Sequence, residues 1–268
     1  MRLFHFPKNL RERWLACFEL GIVQASKSTT AVIAWWGACL LFLFFLAAAA
    51  FFTSFEKSSS VSPAFLLYVT LALSWGPGLL FIWGATKNGF DLDRSHGLIQ
   101  LAFSRGVPLW IYLLGRMGGL SLILLMISLS GALLFLILTY THPIAFYHAS
   151  WADQFVRCFF YSSLFALTLP PLAFSIGTTS SRLKKLGLFV LLFYLPAWLQ
   201  LVGLPTLFPS SSLKNATLPF TLIPLYSIST SDEASLLERF QACIMLFSVA
   251  GVGLALTKRH LSASTKQG

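Results

Sequence analysis

The chain has 268 residues, 56% of them hydrophobic and only 10% charged. A soluble domain carries about 25% charged residues, so the composition excludes an ordinary soluble fold and points to an all-α polytopic membrane protein. The net charge of +10 would suit nucleic acid, but no basic run is interleaved with aromatics on a polar face, and no nucleic-acid partner is expected.

Residues 1–30 form a cytosolic amphipathic segment. Its charged region and the apolar run after it are both too long for a secretory signal. Over 9–27, Leu10, Trp14, Cys17, Gly21 and Ala25 follow helical spacing, while Lys8, Glu12 and Glu19 share another face. Such a helix lies in the membrane interface, with Trp14 as its anchor; the alternative is a first cytosolic turn of the helix that follows.

A six-helix transmembrane domain is expected over 31–257, with spans at about 31–53, 64–86, 117–140, 155–177, 186–207 and 236–257. The second contains Gly76-Pro77-Gly78, which must break or kink it. The third starts after Arg116, because a mid-bilayer Arg costs about 2.5–3.5 kcal/mol on insertion scales; Arg116 is therefore expected as an anchor at the cytosolic boundary. Gly115 and Gly119 form a small-xxx-small pair that lets another helix approach closely. Pro170 and Pro171 fall in the fourth span and Pro196 and Pro205 in the fifth. Residues 208–235 mix Ser/Thr clusters with apolar residues, and Pro219 and Pro224 prevent a spanning helix, which suits an outer re-entrant segment. Residues 258–268 form a cytosolic tail.

All Lys and Arg except Lys57, Arg157, Lys214 and Arg239 fall in segments that this layout puts on one side. The basic excess thus reports topology, with both termini cytosolic. The four cysteines are scattered, so buried free thiols are expected rather than disulfides. His142, His148 and Asp153 share an outer loop at no standard ligand spacing, and no metal site is expected.

The stretch 87–108 stands apart. It opens polar and charged, carries Leu98, Ile99, Leu101, Ala102 and Phe103 in its middle, and turns at Gly106-Val107-Pro108. The apolar patch is too short to span, since a span needs about 20 residues, so a short cytosolic surface helix is expected. The order of Asp91 and Asp93, then Gly97-Leu98, then a short apolar helix ending Ser104-Arg105, then Tyr112-Leu113-Leu114-Gly115-Arg116, resembles the segment after the second transmembrane helix of ABC-2 type permeases. These are the membrane subunits of one class of ABC transporters. That pattern usually has Gly-Thr-Leu, Ser-Arg-Pro and a Lys where this chain has Gly97-Leu98, Gly106 and Arg116.

The resemblance implies a coupling helix between spans two and three, with Asp91, Asp93, Arg94, Gly97, Leu98, Leu101, Ser104 and Arg105 contacting an ATPase. No Gly-x-x-x-x-Gly-Lys-Ser/Thr occurs, so ATP and Mg would sit on a separate ABC ATPase subunit dimer. No catalytic residues are expected: the nine acidic residues map to loops or helix ends, where a proton-coupled carrier or intramembrane enzyme needs ionisable groups near the midplane. The expected protein is an export permease of the bacterial inner membrane, paired with a second permease chain and surrounded by membrane lipid. The alternative is a non-transporting scaffold or assembly subunit.

Overall fold

The computed structural model describes residues 9–26, 28–55, 64–87, 90, 93, 96–141, 151–179, 181–194 and 235–265, and among them the chain is almost wholly helical, without a strand. Helix α1 spans Leu10–Ser26 and α2 spans Thr29–Phe55. Each begins on a side-chain cap. Asn9 Oδ1 accepts the Arg11 N–H at 3.4 Å and Ser28 Oγ accepts the Ala31 N–H at 3.4 Å, satisfying donors that a helix start leaves open.

The kink expected at Gly76-Pro77-Gly78 takes a definite form. Helix α3 (Ala64–Leu73) passes through a π-helical turn, Ser74–Gly78, into α4 (Leu79–Thr86). Pro77 has no N–H, and its ring would clash with the carbonyl four residues back; one wider turn absorbs both problems. Side chains pin this turn to its neighbours. Ser74 Oγ donates to the Thr70 carbonyl at 2.7 Å, so the Ser128 hydroxyl must be the donor in its 2.6 Å contact with Ser74 Oγ. Trp75 Nε1 donates to the Tyr161 hydroxyl at 2.6 Å.

Helix α5, Leu98–Ser104, is bracketed by two left-handed glycines, Gly97 (φ 67°) and Gly106 (φ 71°). Its end is a Schellman motif: the Gly106 N–H bonds the Phe103 carbonyl at 2.9 Å and the Val107 N–H bonds the Ala102 carbonyl at 3.0 Å. Pro108, unable to continue a helix but suited to opening one, leads into α6 (Leu109–Thr141). Helix α7 covers Trp151–Gly177 and holds Pro170 and Pro171. Helix α8 (Arg182–Phe189) runs into a second π-helical turn, Val190–Tyr194. Helix α9 covers Leu236–Thr265. A capping box opens it, with Glu238 accepting the Ser235 N–H at 2.8 Å and Ser235 Oγ accepting the Glu238 N–H at 3.3 Å.

Helices α6 and α7 form the centre. Helix α6 packs on α1, α3 and α7, α7 also carries α9, and α2 lies on α4. Small residues allow the closest approaches. A Cβ on Gly84 would stand 2.0 Å from Thr30 Oγ1, and one on Gly253 2.8 Å from the Pro171 carbonyl oxygen. Ala31, Ala34 and Ala38 make the buried stripe of α2, whose other side exposes Val32, Ile33, Trp36, Leu40 and Phe44.

Among the described residues, five stretches are long and apolar enough to cross a membrane: Thr29–Ala48, Val69–Thr86, Leu109–Gly131, Asp153–Gly177 and Leu236–Ala263. That is consistent with a multi-pass membrane protein. The expected fifth span, 186–207, is described only to residue 194, and the re-entrant segment 208–235 lies outside the described residues except for Ser235. The boundaries of one span need correcting. The helix expected to begin at 117 begins at Leu109, so Arg116 sits two turns inside it. The last helix also continues through Lys258, Arg259 and His260 instead of ending before them.

Candidate functional site

The stretch joining α4 to α6 is built around one buried ion pair. Asp93 is fully buried and Arg116 is 3% exposed. The Arg116 guanidinium grips the Asp93 carboxylate in a fork, Nε to Oδ2 at 3.1 Å and Nη2 to Oδ1 at 3.2 Å. Its Nη1 donates to the Leu20 carbonyl of α1 at 3.1 Å, and the Tyr112 hydroxyl donates to Asp93 Oδ2. The bidentate geometry, with further hydrogen bonds to both charges, is what a buried ion pair needs to offset its desolvation.

Helix α1 forms the back wall. A Cβ on Gly115 would stand 2.5 Å from Cys17 Cβ, and one on Gly119 2.5 Å from the Phe18 carbonyl oxygen; one on Gly21 would stand 2.7 Å from the Arg116 carbonyl oxygen. Glycines on both helices therefore bring the two backbones together. Arg13 Nη1 also donates to the Gly106 carbonyl at 2.8 Å, tying α1 to the turn that ends α5. The Cys17 thiol is fully buried in this contact. Burial pushes its pKa from 9.0 up to about 11, with Arg116 pulling it down and Asp93 pushing it up by smaller amounts.

On the far side, Phe90 stacks on Phe174 of α7 with ring centroids 4.8 Å apart, and lies 6.2 Å from the Tyr112 ring. Ile99 and Ala102 turn the buried face of α5 inward, while Leu98, Leu101 and Phe103 are half-buried and Gln100 and Ser104 exposed. The result is a short helix with Ile99 and Ala102 buried, its closing turn tied to α1 by Arg13, and Gln100 and Ser104 presented outward.

Several expected site residues fall elsewhere than on a docking surface. Asp93 is not available to a partner: its carboxylate is consumed by Arg116 and Tyr112. Arg116 is not an interfacial anchor, because protein surrounds it and Asp93 supplies its counter-charge. Trp14 rests against protein as well, its ring 5.1 Å from that of Phe18 and its carbonyl oxygen 3.1 Å from where a Gly115 Cβ would be. Gly97 provides the left-handed entry to α5; Ser104 Oγ bonds back to the Leu101 carbonyl at 3.0 Å; Arg105 is half-buried. Asp91 and Arg94 lie outside the described residues.

Tyr112, Leu20 and Cys17 complete the site without having been expected in it. Only the i, i+4 spacing of Tyr112 and Arg116 on one helix face hinted that the two act together. Among the described residues, no group of three or more His, Cys, Asp or Glu could hold a metal ion. No protein-family model matches this chain, and no curated protein matches it.

Proposed function

We propose that the chain is a permease subunit of an ABC-2 type exporter, energised by a separate ATPase dimer that carries ATP and Mg. The observation that carries this reading is the seating of α5. A seven-residue helix, Leu98–Ser104, lies in the chain between two stretches able to span a membrane, with Ile99 and Ala102 buried; the turn that closes it is tied to α1 by Arg13, and the segment that leads into it is anchored through Asp93 on Arg116. A push on such a helix is passed on, not absorbed, because packed elements shift as units.

In this reading the partner contacts the outward side of α5, at Leu98, Leu101, Ser104 and Arg105, and Asp93 serves as the pivot beneath it. Six spans in the bacterial inner membrane, cytosolic termini and a second permease chain belong to the same proposal. It departs from the pattern it resembles at Gly106. The left-handed φ of 71° there is out of reach of proline, whose ring fixes φ near −65°, so the turn is built differently from one with Pro at that place.

The test is to co-express the chain with any ABC ATPase found in a neighbouring reading frame. Co-purification and ATP-dependent export are expected. Leu98→Asp and Leu101→Asp should abolish export while leaving the chain in the membrane. Unchanged export by both variants would overturn the reading. Co-purification with no export under any condition would favour the scaffold alternative.

A further inference from the structure

Helix α3 and its π-helical turn touch α6 and α7 at three successive levels. At the first, Thr70 Oγ1 stands 3.2 Å from where a Gly131 Cβ would be, and Thr70 is hydrogen-bonded with the Cys158 thiol. One turn on, Ser74 meets Ser128 and Trp75 meets Tyr161. At the third, a Gly78 Cβ would lie 3.2 Å from Leu124 Cδ1 and 3.5 Å from Phe165 Cε1. Cys158, Ser162 and Phe165 follow i, i+4, i+7 spacing and share one face of α7, which puts Ser162 at the level of Ser74. Each of the three elements thus brings one serine to the middle level, and Ser74, Ser128 and Ser162 are all fully buried.

Two of these hydroxyls are paired with each other and the third is not. Among the described residues, Ser162 Oγ is buried without a hydrogen-bond partner. A stranded buried hydroxyl is destabilising and uncommon, so a site that keeps one calls for a reason. Alanine would fill nearly the same space and strand nothing.

We propose that the three serines form a two-position switch. In the arrangement seen here the Ser128 hydroxyl donates to Ser74 Oγ. In the second, the Ser162 hydroxyl donates to Ser74 Oγ and Ser128 is the one left unpaired. The exchange conserves the number of hydrogen bonds within the triad, so the two arrangements lie close in free energy and the second is populated as a minor state. The π-helical turn supplies the freedom. Ser74 is its first residue, and such a turn is a place where a helix can change its winding, so α3 can shift against α7 without carrying α4 along. Shifts of about 1–2 Å are the usual scale of such helix movements. Trp75, next in the chain and bonded to α7 through Tyr161, reports which position the turn occupies. The inference rests on the core of the bundle and is independent of any ATPase partner.

The experiment uses the full chain in small nanodiscs, labelled with 5-fluorotryptophan and followed by fluorine NMR; the resonance missing from Trp75→Phe identifies Trp75. Saturation transfer should reveal a minor state of Trp75 in wild type. Ser128→Ala, which removes the present donor, should raise its population about tenfold, the size of one hydrogen bond's contribution. Ser162→Ala, which removes the alternative donor, should lower it about tenfold, whether introduced alone or with Ser128→Ala. The proposal is overturned if Trp75 keeps a single state in both wild type and Ser128→Ala, or if its minor state is unchanged by Ser162→Ala. Should Ser128→Ala misfold, the other two spectra decide alone: a wild-type minor state that Ser162→Ala removes supports the switch, and any other result overturns it.

Discussion

At the scale of single residues, Arg116 joins three parts of the chain. It neutralises Asp93, satisfies the Leu20 carbonyl and shares its carboxylate partner with Tyr112. Removing one member of a buried pair leaves the other charge stranded, at a cost of about 3–5 kcal/mol. Asp93→Ala and Arg116→Ala should each lower the thermal unfolding midpoint of the purified protein steeply. The double variant should lose much less than the sum, and a strictly additive pair would show that the two charges do not interact. Tyr112→Phe, which removes one bond to a charged acceptor, should cost about 1.5–3 kcal/mol. Cys17 adds a pH dependence. Its folded pKa of about 11 exceeds the ordinary 9.0, so the folded state holds a proton that the unfolded state releases first. Its contribution to stability is therefore complete below pH 9 and is lost as pH rises from there to about 11. Cys17→Ser should flatten that alkaline decline in a pH series of unfolding midpoints.

At the scale of elements, the contact between α1 and α6 depends on glycine. The Gly119 Cβ would meet a backbone carbonyl, which cannot swing aside as a side-chain tip can. Gly119→Val should therefore push α1 away, and mass mapping after maleimide treatment at pH 8 should then find Cys17 modified, whereas in wild type it stays protected. Labelling that remains absent in the variant would mean that the contact adapts. Much of the element layout was legible from the chain alone. Apolar runs marked the spans, Gly76-Pro77-Gly78 marked the distortion in the second, and Gly106-Val107-Pro108 marked the turn after α5. The spacing of Trp14, Cys17 and Gly21 gave one helix face, but spacing says nothing about what that face meets. It reads the same whether lipid or α6 lies opposite, which is why α1 was expected in the interface. The ion pair was hidden for a similar reason. An isolated Arg is costly in a span, and that sound rule displaced Arg116 to the boundary; the counter-charge comes from Asp93, in a stretch whose sequence has no apolar periodicity to read.

At the scale of the whole molecule, the bundle has two chemically different ends. One end carries α5 and the Asp93–Arg116 pair, and the other a groove lined by Arg157 and Arg239 between α7 and α9. The π-helical turn at Ser74–Gly78 lies between them, fastened to α6 through Ser128 and to α7 through Tyr161. If motion passes through the bundle, that turn is where one half-helix can pivot on the other. Trp75→Phe removes the fastening to Tyr161 and should cost about 0.5–1.5 kcal/mol of stability. Amide exchange should accelerate around Ser74–Gly78 and leave α9 unchanged. Equal acceleration in α9 would place the flexible point elsewhere.

The docking of α1 against α6 also imposes an order on biosynthesis. Leu20 leaves the ribosome 96 residues ahead of the guanidinium that will cap its carbonyl, so α1 has no finished seat until the stretch Leu109–Gly131 is in place. During that interval Trp14, Cys17 and Phe18 have no partner surface. A nascent chain halted just short of Gly115 would expose α1 to protease or chaperone, and one halted some forty residues later would conceal it.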